Sequence, residues 1–330
     1  MSSNKIYRLV DSYYKPYSKN YLEKLFYDIS SADSNRKSEK IFKKNEDYIN
    51  GLKSKFKQLV LERNNLAKSK GNDNYFDFIA EWDGVPKQDI INFFAKAGDL
   101  SRKLLDELPF DNSKIDWFSS NYNNFNFELQ LGKPKYKLPK EVVDFIKKNP
   151  SKNKYLKKIK LNPVEDTTFT TDYDYKKGEA TINYDKNNSR LHDALSMAHE
   201  FGHAIGMVRN YAEGKETSQP KPFPDETRAV KFELEFLAAQ KADIRKVAQA
   251  GSIYYFVNTL FEEKIYKDPE VDFDEVYANT HNVISPLIKQ KSNPLYVLNS
   301  FLIEYPCYST NYSVIYSKLL SQYAFKRNLG

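Results

Sequence analysis

Two histidines and a glutamate fall within five residues of one another, at His199, Glu200 and His203 in the stretch Ser196–Ile205. On a helix, side chains four residues apart lie on one face, one turn above another. Two imidazoles at that spacing can bind a single tetrahedral Zn²⁺, and the glutamate after the first histidine then lies beside the position that water occupies. The pattern predicts a zinc site in which His199 and His203 are ligands and Glu200 is a general base.

A catalytic zinc needs a third protein ligand and an open position for water. The pattern with a third histidine six residues after the second fails, because that position is Arg209. A carboxylate is therefore favoured, and we predict Glu226, which begins the helical pattern after a proline-rich loop. Glu233, two turns further on the same face, suits a carboxylate that orients a ligating histidine. Glu233 and Glu216 remain the alternative ligands.

The elements that must position these residues are mostly helices. Apolar side chains recur at helical spacing over residues 5–29 and 38–69, which predicts a long helical hairpin within residues 1–70. Further helices are predicted over about 87–107, from Pro139, and over 190–211, 225–249, 252–266, 273–290 and 294–325. We predict a mainly α fold: a single catalytic domain with a helical lobe over 1–160 and a zinc-binding lobe over 161–330.

One β-hairpin interrupts the helices just before the histidine motif. Thr167–Tyr175 and Glu179–Tyr184 are rich in Thr, Tyr, Phe and Ile, and Lys176-Lys177-Gly178 supplies a turn between them. An edge strand beside the active-site helix could pair with an extended peptide and align its scissile bond. Gly178–Tyr184 is the candidate peptide-binding segment, although the sequence does not specify which strand of the hairpin forms the edge.

The composition is globular and excludes several classes of protein. The 330 residues have a net charge of +7, but the lysines are scattered and no nucleic-acid-binding motif accompanies them, so we expect no nucleic-acid partner. The single cysteine, Cys307, cannot form a disulfide within the chain. The N-terminal residues contain no apolar signal segment and no run reaches membrane-spanning length, so a cytoplasmic protein without membrane contact is expected. The oligomeric state is left open.

Three stretches together resemble the thimet oligopeptidase and oligoendopeptidase F family of gluzincin metallopeptidases. The segment HEFGHA at 199–204 matches the family's motif, Glu226–Glu233 is similar to its ligand helix, and Tyr308–Tyr312 is similar to its tyrosine-rich C-terminal helix. The resemblance implies a zincin-like fold with a central cleft, one zinc ion with Glu226 as a carboxylate ligand, and tyrosine hydroxyls that contact the substrate. The chain is shorter than typical members, and the histidine that precedes the family's tyrosines has no counterpart among residues 299–304.

The sequence thus predicts a zinc-dependent oligopeptidase that hydrolyses short unstructured peptides. The developing oxyanion needs a donor opposite the metal, for which Tyr308, Tyr312, Tyr305 and His281 are the candidates. Two alternatives remain open. A zinc carboxypeptidase or dipeptidyl carboxypeptidase would need a Lys or Arg placed to bind the substrate's terminal carboxylate, for which Arg209 and Arg228 are candidates. A non-catalytic peptide-binding relative would have no use for Glu200.

Overall fold

The computed structural model describes residues 3–30, 35–107, 136–165, 169–187, 189, 191–215, 220–240, 244–284 and 291–326. The chain divides into two compact units. The first comprises Met1–Phe125 and Gln249–Gly330, and the second comprises Asn126–Ala248. The predicted lobes, 1–160 and 161–330, are divided at a different place, since the C-terminal helices are grouped with the N-terminal ones.

The fold is mainly α-helical, as predicted, with one small sheet. Helices α1 to α6 are Ser3–Tyr13, Lys19–Ser30, Asn35–Lys44, Glu46–Ser69, Tyr75–Asp83 and Lys87–Glu107. Two short helices, α7 (Lys140–Lys147) and α8 (Pro150–Asn153), and a 3₁₀ turn at Leu156–Lys158 lead into strands β1 (Ile159–Pro163), β2 (Thr170–Asp174) and β3 (Glu179–Tyr184). The remaining helices are α9 (Leu191–Ala212), α10 (Pro222–Ala239), α11 (Ile244–Lys267), α12 (Phe273–Ile284), α13 (Ser300–Glu304) and α14 (Ser309–Lys326), with a 3₁₀ turn at Pro294–Leu298.

The predicted hairpin over residues 1–70 is wrong in detail, because four helices occupy that stretch. Pro16 lies between α1 and α2, where its missing N–H interrupts the helical hydrogen bonds. Asn45 separates α3 from α4, and its side chain donates a hydrogen bond to the carbonyl of Ile41 at 2.8 Å. Such bonds compete with the helical backbone. The helix predicted over 294–325 is likewise broken, into the 3₁₀ turn, α13 and α14.

The first unit is held together by contacts between α4 and the C-terminal segments. The ring of Tyr296 lies 5.0 Å from that of Phe56 and 5.1 Å from that of Phe261, centroid to centroid. Arg63, only 2% exposed, donates hydrogen bonds to the hydroxyl of Tyr266 and to the carbonyls of Leu302 and Ile303. These long-range contacts explain why both ends of the chain belong to one unit.

The second unit contains the sheet, whose strand order is β1-β3-β2. The predicted hairpin is confirmed: β2 pairs antiparallel with β3, with Thr171 opposite Ile182. Strand β1, which the sequence analysis missed, pairs parallel with β3 on its other side. On β3, Ala180, Ile182 and Tyr184 are buried, and this strand contacts α9.

The central position of β3 corrects one expectation. The segment Gly178–Tyr184 was the predicted partner for an extended peptide, but both of its backbone edges are already paired within the sheet. The edge strands of the described sheet are β1 and β2. Of the three strands in this described sheet, only β1 and β2 have a backbone edge left for a peptide.

None of the described helices is long and apolar enough to cross a membrane.

Candidate metal centre

The candidate metal ligands lie on two helices of the second unit that pack closely together. His199, Glu200 and His203 are on α9, and Glu226 is on α10, which begins at Pro222 where proline favours a helix start. The helices approach each other at Gly202, where an added Cβ would lie 2.6 Å from the Cα of Ala229. Glycine is thus required at this contact, which brings the carboxylate of α10 to the imidazoles of α9.

The three predicted ligands form one cluster. The two Nε2 atoms of His199 and His203 are 3.1 Å apart. The carboxylate of Glu226 lies 3.1 Å from Nε2 of His199 and 3.7 Å from Nε2 of His203. Nitrogen and oxygen ligands of a tetrahedral zinc, each at about 2.0–2.1 Å from the ion, are separated by about 3.3–3.4 Å. The side chains present therefore fit a zinc ion in both chemistry and spacing.

A second layer of carboxylates surrounds the histidines. Oε2 of Glu233 lies 3.5 Å from Nδ1 of His199, in the place predicted for a carboxylate that orients a ligand. Oδ2 of Asp225 lies 2.9 Å from Nδ1 of His203, and Arg228 donates a 2.7 Å hydrogen bond to Oδ1 of the same aspartate. Carboxylates behind ligating histidines fix their orientation and raise their basicity.

The sequence analysis missed Asp225 and its contact with Arg228, although the spacing of these two residues indicates the contact. An acidic and a basic residue three positions apart on a helix are neighbours. The pairing also bears on the carboxypeptidase alternative. Of the two arginines considered for a substrate carboxylate, Arg228 is held by Asp225, whereas Arg209 is exposed on α9.

The cluster attracts positive charge. Burial disfavours a charged His199, but the hydrogen bonds and charges of Glu226 and Glu233 outweigh it and raise the pKa of His199 to about 10. The direction of this shift reflects the buried negative charge of the two carboxylates. The same negative charge favours a divalent cation.

Glu200 lies on the side of α9 that faces the sheet. Burial raises the pKa of its carboxyl, while His199, His203 and a hydrogen bond from Thr171 act in the opposite direction. The Thr171 hydroxyl on β2 is 2.7 Å from Oε2 of Glu200. A half-buried carboxylate beside two imidazoles is suited to accept and release a proton.

The predicted oxyanion donors belong to the first unit, whereas the whole metal cluster belongs to the second. The ring of Tyr312 stacks on that of Tyr255 at 4.5 Å, and Tyr308 lies edge-on to Tyr312. Tyr305 is 56% exposed. His281 is buried against the ring of Tyr277, and burial lowers its pKa to about 3, so its imidazole is neutral. Their role in stabilising an oxyanion stays a prediction. The alternative ligand Glu216 lies outside the described residues.

The fold was compared with known proteins. No family model and no curated protein sequence matches the chain. Among solved structures, a candidate oligoendopeptidase F superposes with a TM-score of 0.65 and 14% identity, over 98% of this chain and 67% of that one. PZ peptidase A, solved with an inhibitor, gives a TM-score of 0.62 and 14% identity over 99% of this chain and 67% of that one.

A candidate oligoendopeptidase F from Bacillus anthracis gives a TM-score of 0.60 and 14% identity, over 93% of this chain and 60% of that one. The chain therefore spans about 60–67% of the length of these solved proteins. The chain therefore has the fold of the solved oligoendopeptidase F proteins, in a shortened form.

Proposed function

We propose that the protein is a zinc-dependent peptidase that hydrolyses peptide bonds in short, unstructured peptides. The observation that supports this most strongly is the cluster of His199, His203 and Glu226, whose ligand atoms all lie within 4.8 Å of one another. A binding protein could use such a cluster for structural zinc. The glutamate next to the first ligand, Glu200, favours catalysis, because a structural site has no use for a general base.

His199, His203 and Glu226 would hold the metal, and Asp225 and Glu233 would orient the two imidazoles. When bound there, a zinc ion polarises the scissile carbonyl and lowers the pKa of water. Glu200 accepts a proton from the attacking water as the water oxygen bonds to the carbonyl carbon. It then gives that proton to the amine as the C–N bond breaks, so the carboxylate returns to its starting form.

The substrate would be extended at the scissile bond. Strand β2 is an edge strand of the described sheet and contacts α9, which contains the histidine motif. A peptide that adds to this edge must expose its backbone N–H and C=O groups in a strand conformation. Such pairing favours unfolded peptides over folded proteins, whose backbone groups are already bonded. Tyr308, Tyr312 and His281 remain our candidates for the oxyanion donor.

The proposal is tested by replacing the base while keeping the ligands. Purified wild-type protein should cleave members of a mixed peptide library, detected by mass spectrometry. Glu200→Gln should lower kcat by at least about 10³-fold and leave the zinc content unchanged, because the amide cannot accept the proton. The matched control Glu213→Gln removes an exposed carboxylate that pairs with Lys215, and should cleave like wild type.

Two results would contradict the proposal: a wild-type protein that cuts nothing, or a Glu200→Gln variant that cuts normally. Comparing end-blocked with free-ended peptides in the same assay separates internal cleavage from carboxypeptidase action. Cleavage of end-blocked peptides supports the oligopeptidase, and strict dependence on a free C-terminus supports the alternative.

A further inference from the structure

Strand β2 is held against α9 by side chains on one of its faces. The hydroxyl of Thr171 contacts Glu200, and two residues later the hydroxyl of Tyr173 donates a 3.3 Å hydrogen bond to the carbonyl of Met207. The residues between and beside them lie on the other face, where Thr170 and Asp172 both contact Asn183 on β3. This alternation is the normal two-residue period of a strand. It fixes which side chain of β2 reaches the predicted base.

The contact between Thr171 and Glu200 is a short hydrogen bond to a charged group. Oγ1 of Thr171 is 2.7 Å from Oε2 of Glu200 and 3.1 Å from the main-chain carbonyl oxygen of the same residue. The hydroxyl has one proton to donate, and the bond to a carboxylate is the stronger of the two. Oε2 of Glu200 therefore accepts this hydrogen bond. Because a carboxylate is rigid and planar, the bond also restricts the orientation of the other oxygen.

We propose that Thr171 is a positioning residue for Glu200 and holds its carboxylate in the orientation in which it takes the proton of the attacking water. This inference depends on the proposed peptidase function. The edge strand that would pair with an extended peptide is then the same strand whose Thr171 hydroxyl orients the base. The hydroxyl acts through Glu200 and touches neither the substrate nor the metal.

The test compares isosteric changes on two strands. Thr171→Val keeps the shape of the side chain but removes the donor, so we expect kcat to fall about 10- to 100-fold, the range associated with one hydrogen bond to a charged group. KM should change less than about threefold, because the backbone edge of β2 is unaltered. Thr171→Ser restores the donor and should recover most of kcat. The control Thr181→Val makes the same change on the central strand β3 and should leave kcat within about twofold.

Two further measurements separate positioning from a general structural effect. Zinc affinity, measured by competition with a chelator, should be the same in Thr171→Val and wild type, because none of the three ligands is touched. In a Glu200→Gln background, Thr171→Val should produce no further loss, since the group it positions is already gone.

Several results would overturn the proposal while the peptidase function stands: an unchanged kcat in Thr171→Val, no rescue by serine, a loss of zinc affinity, or an equal further loss in the Glu200→Gln background. A wild-type protein without peptidase activity would instead overturn the proposed function, and this inference with it.

Discussion

Two glutamates among the described residues are deeply buried, in different surroundings. Glu226, 5% exposed, lies beside two imidazoles, and its negative charge can be balanced by a cation bound among them. Glu262, 1% exposed, accepts a 2.6 Å hydrogen bond from the backbone N–H of Cys307 in the first unit. Burial raises the pKa of Glu262 to about 8, against the opposing effects of that N–H and of Arg63. This glutamate should therefore be protonated in the folded protein at neutral pH.

The protonation of Glu262 predicts how stability depends on pH. The pKa in the folded state lies above the usual value of about 4.3, so the folded state binds more protons than the unfolded state between these values. The contribution of Glu262 to the free energy of unfolding is fully present below about pH 4 and is lost as the pH rises towards 8. Glu262→Gln is always neutral, so its free energy of unfolding should decline less than that of wild type between pH 5 and 8.

Urea denaturation at several pH values in that range measures this difference. The neighbouring Glu263, whose carboxylate pairs with Lys267, provides a control, and Glu263→Gln should show the same pH dependence as wild type. If the curves of Glu262→Gln and wild type run parallel across the range, the buried carboxyl is not protonated in the folded protein.

The residues of the site differ in how far the sequence could identify them. His199, Glu200 and His203 follow from local spacing on one helix, and Glu226 and Glu233 follow from the same argument on the next. Thr171 and Asp225 were missed for two different reasons. The contact of Thr171 depends on how a strand docks on α9, which the sequence does not specify. Asp225 lay beside the predicted ligand, but which acid faces Nδ1 of His203 depends on the rotation of α10.

At the scale of elements, the site depends on how closely α9 and α10 pack. Gly202 leaves room for the backbone of Ala229, and Phe232 also lies within 3.0 Å of the position that a Cβ would take. A rigid backbone neighbour cannot move aside as a flexible side chain would. The separation of these two helices therefore sets the distance between Glu226 and the imidazoles.

Replacement of glycine by alanine should have opposite effects at two helical glycines, one in this tight contact and one with open space around it. Gly202→Ala should lower the free energy of unfolding by about 1–3 kcal/mol through overpacking, and should weaken zinc binding as the helices separate. Gly51→Ala on α4, where no atom lies within 4 Å of the added Cβ, should raise stability by about 0.5–1 kcal/mol.

Thermal or urea unfolding of both variants, with zinc affinity measured by chelator competition, provides the comparison. A Gly202→Ala variant as stable as wild type and with unchanged zinc affinity would show that the contact between α9 and α10 can accommodate an added methyl group.

Helices and strands were predicted correctly where the sequence pattern that indicates them involves only neighbouring residues. The β2–β3 hairpin, the long helix α9 and the start of α7 after Pro139 all depend on neighbouring residues, and all are present. Strand β1 was missed because its five residues end in a proline and pair in parallel with a strand some 20 residues away. The extra helix breaks at Pro16 and Asn45 were missed because the apolar spacing continues across them.

At the scale of the whole molecule, the chain is a shortened form of a larger fold. It spans about 60–67% of the length of the solved proteins that it resembles, yet the three candidate metal ligands and the carboxylates of Asp225 and Glu233 all lie within residues 126–248. The donors proposed for the oxyanion come from the first unit. In the proposed mechanism, zinc binding would require only residues of the second unit, whereas peptide cleavage would also require the proposed donors of the first unit, so the two should be measured separately.

Calorimetric titration of the full chain with zinc, after removal of metal by a chelator, tests the central claim most directly. The account predicts one zinc ion per chain, with binding greatly weakened in both His203→Ala and Glu226→Gln. A bound metal should also raise the melting temperature, because it binds the folded state alone. A chain that binds no zinc, or that binds it equally well without His203 and Glu226, would contradict the account.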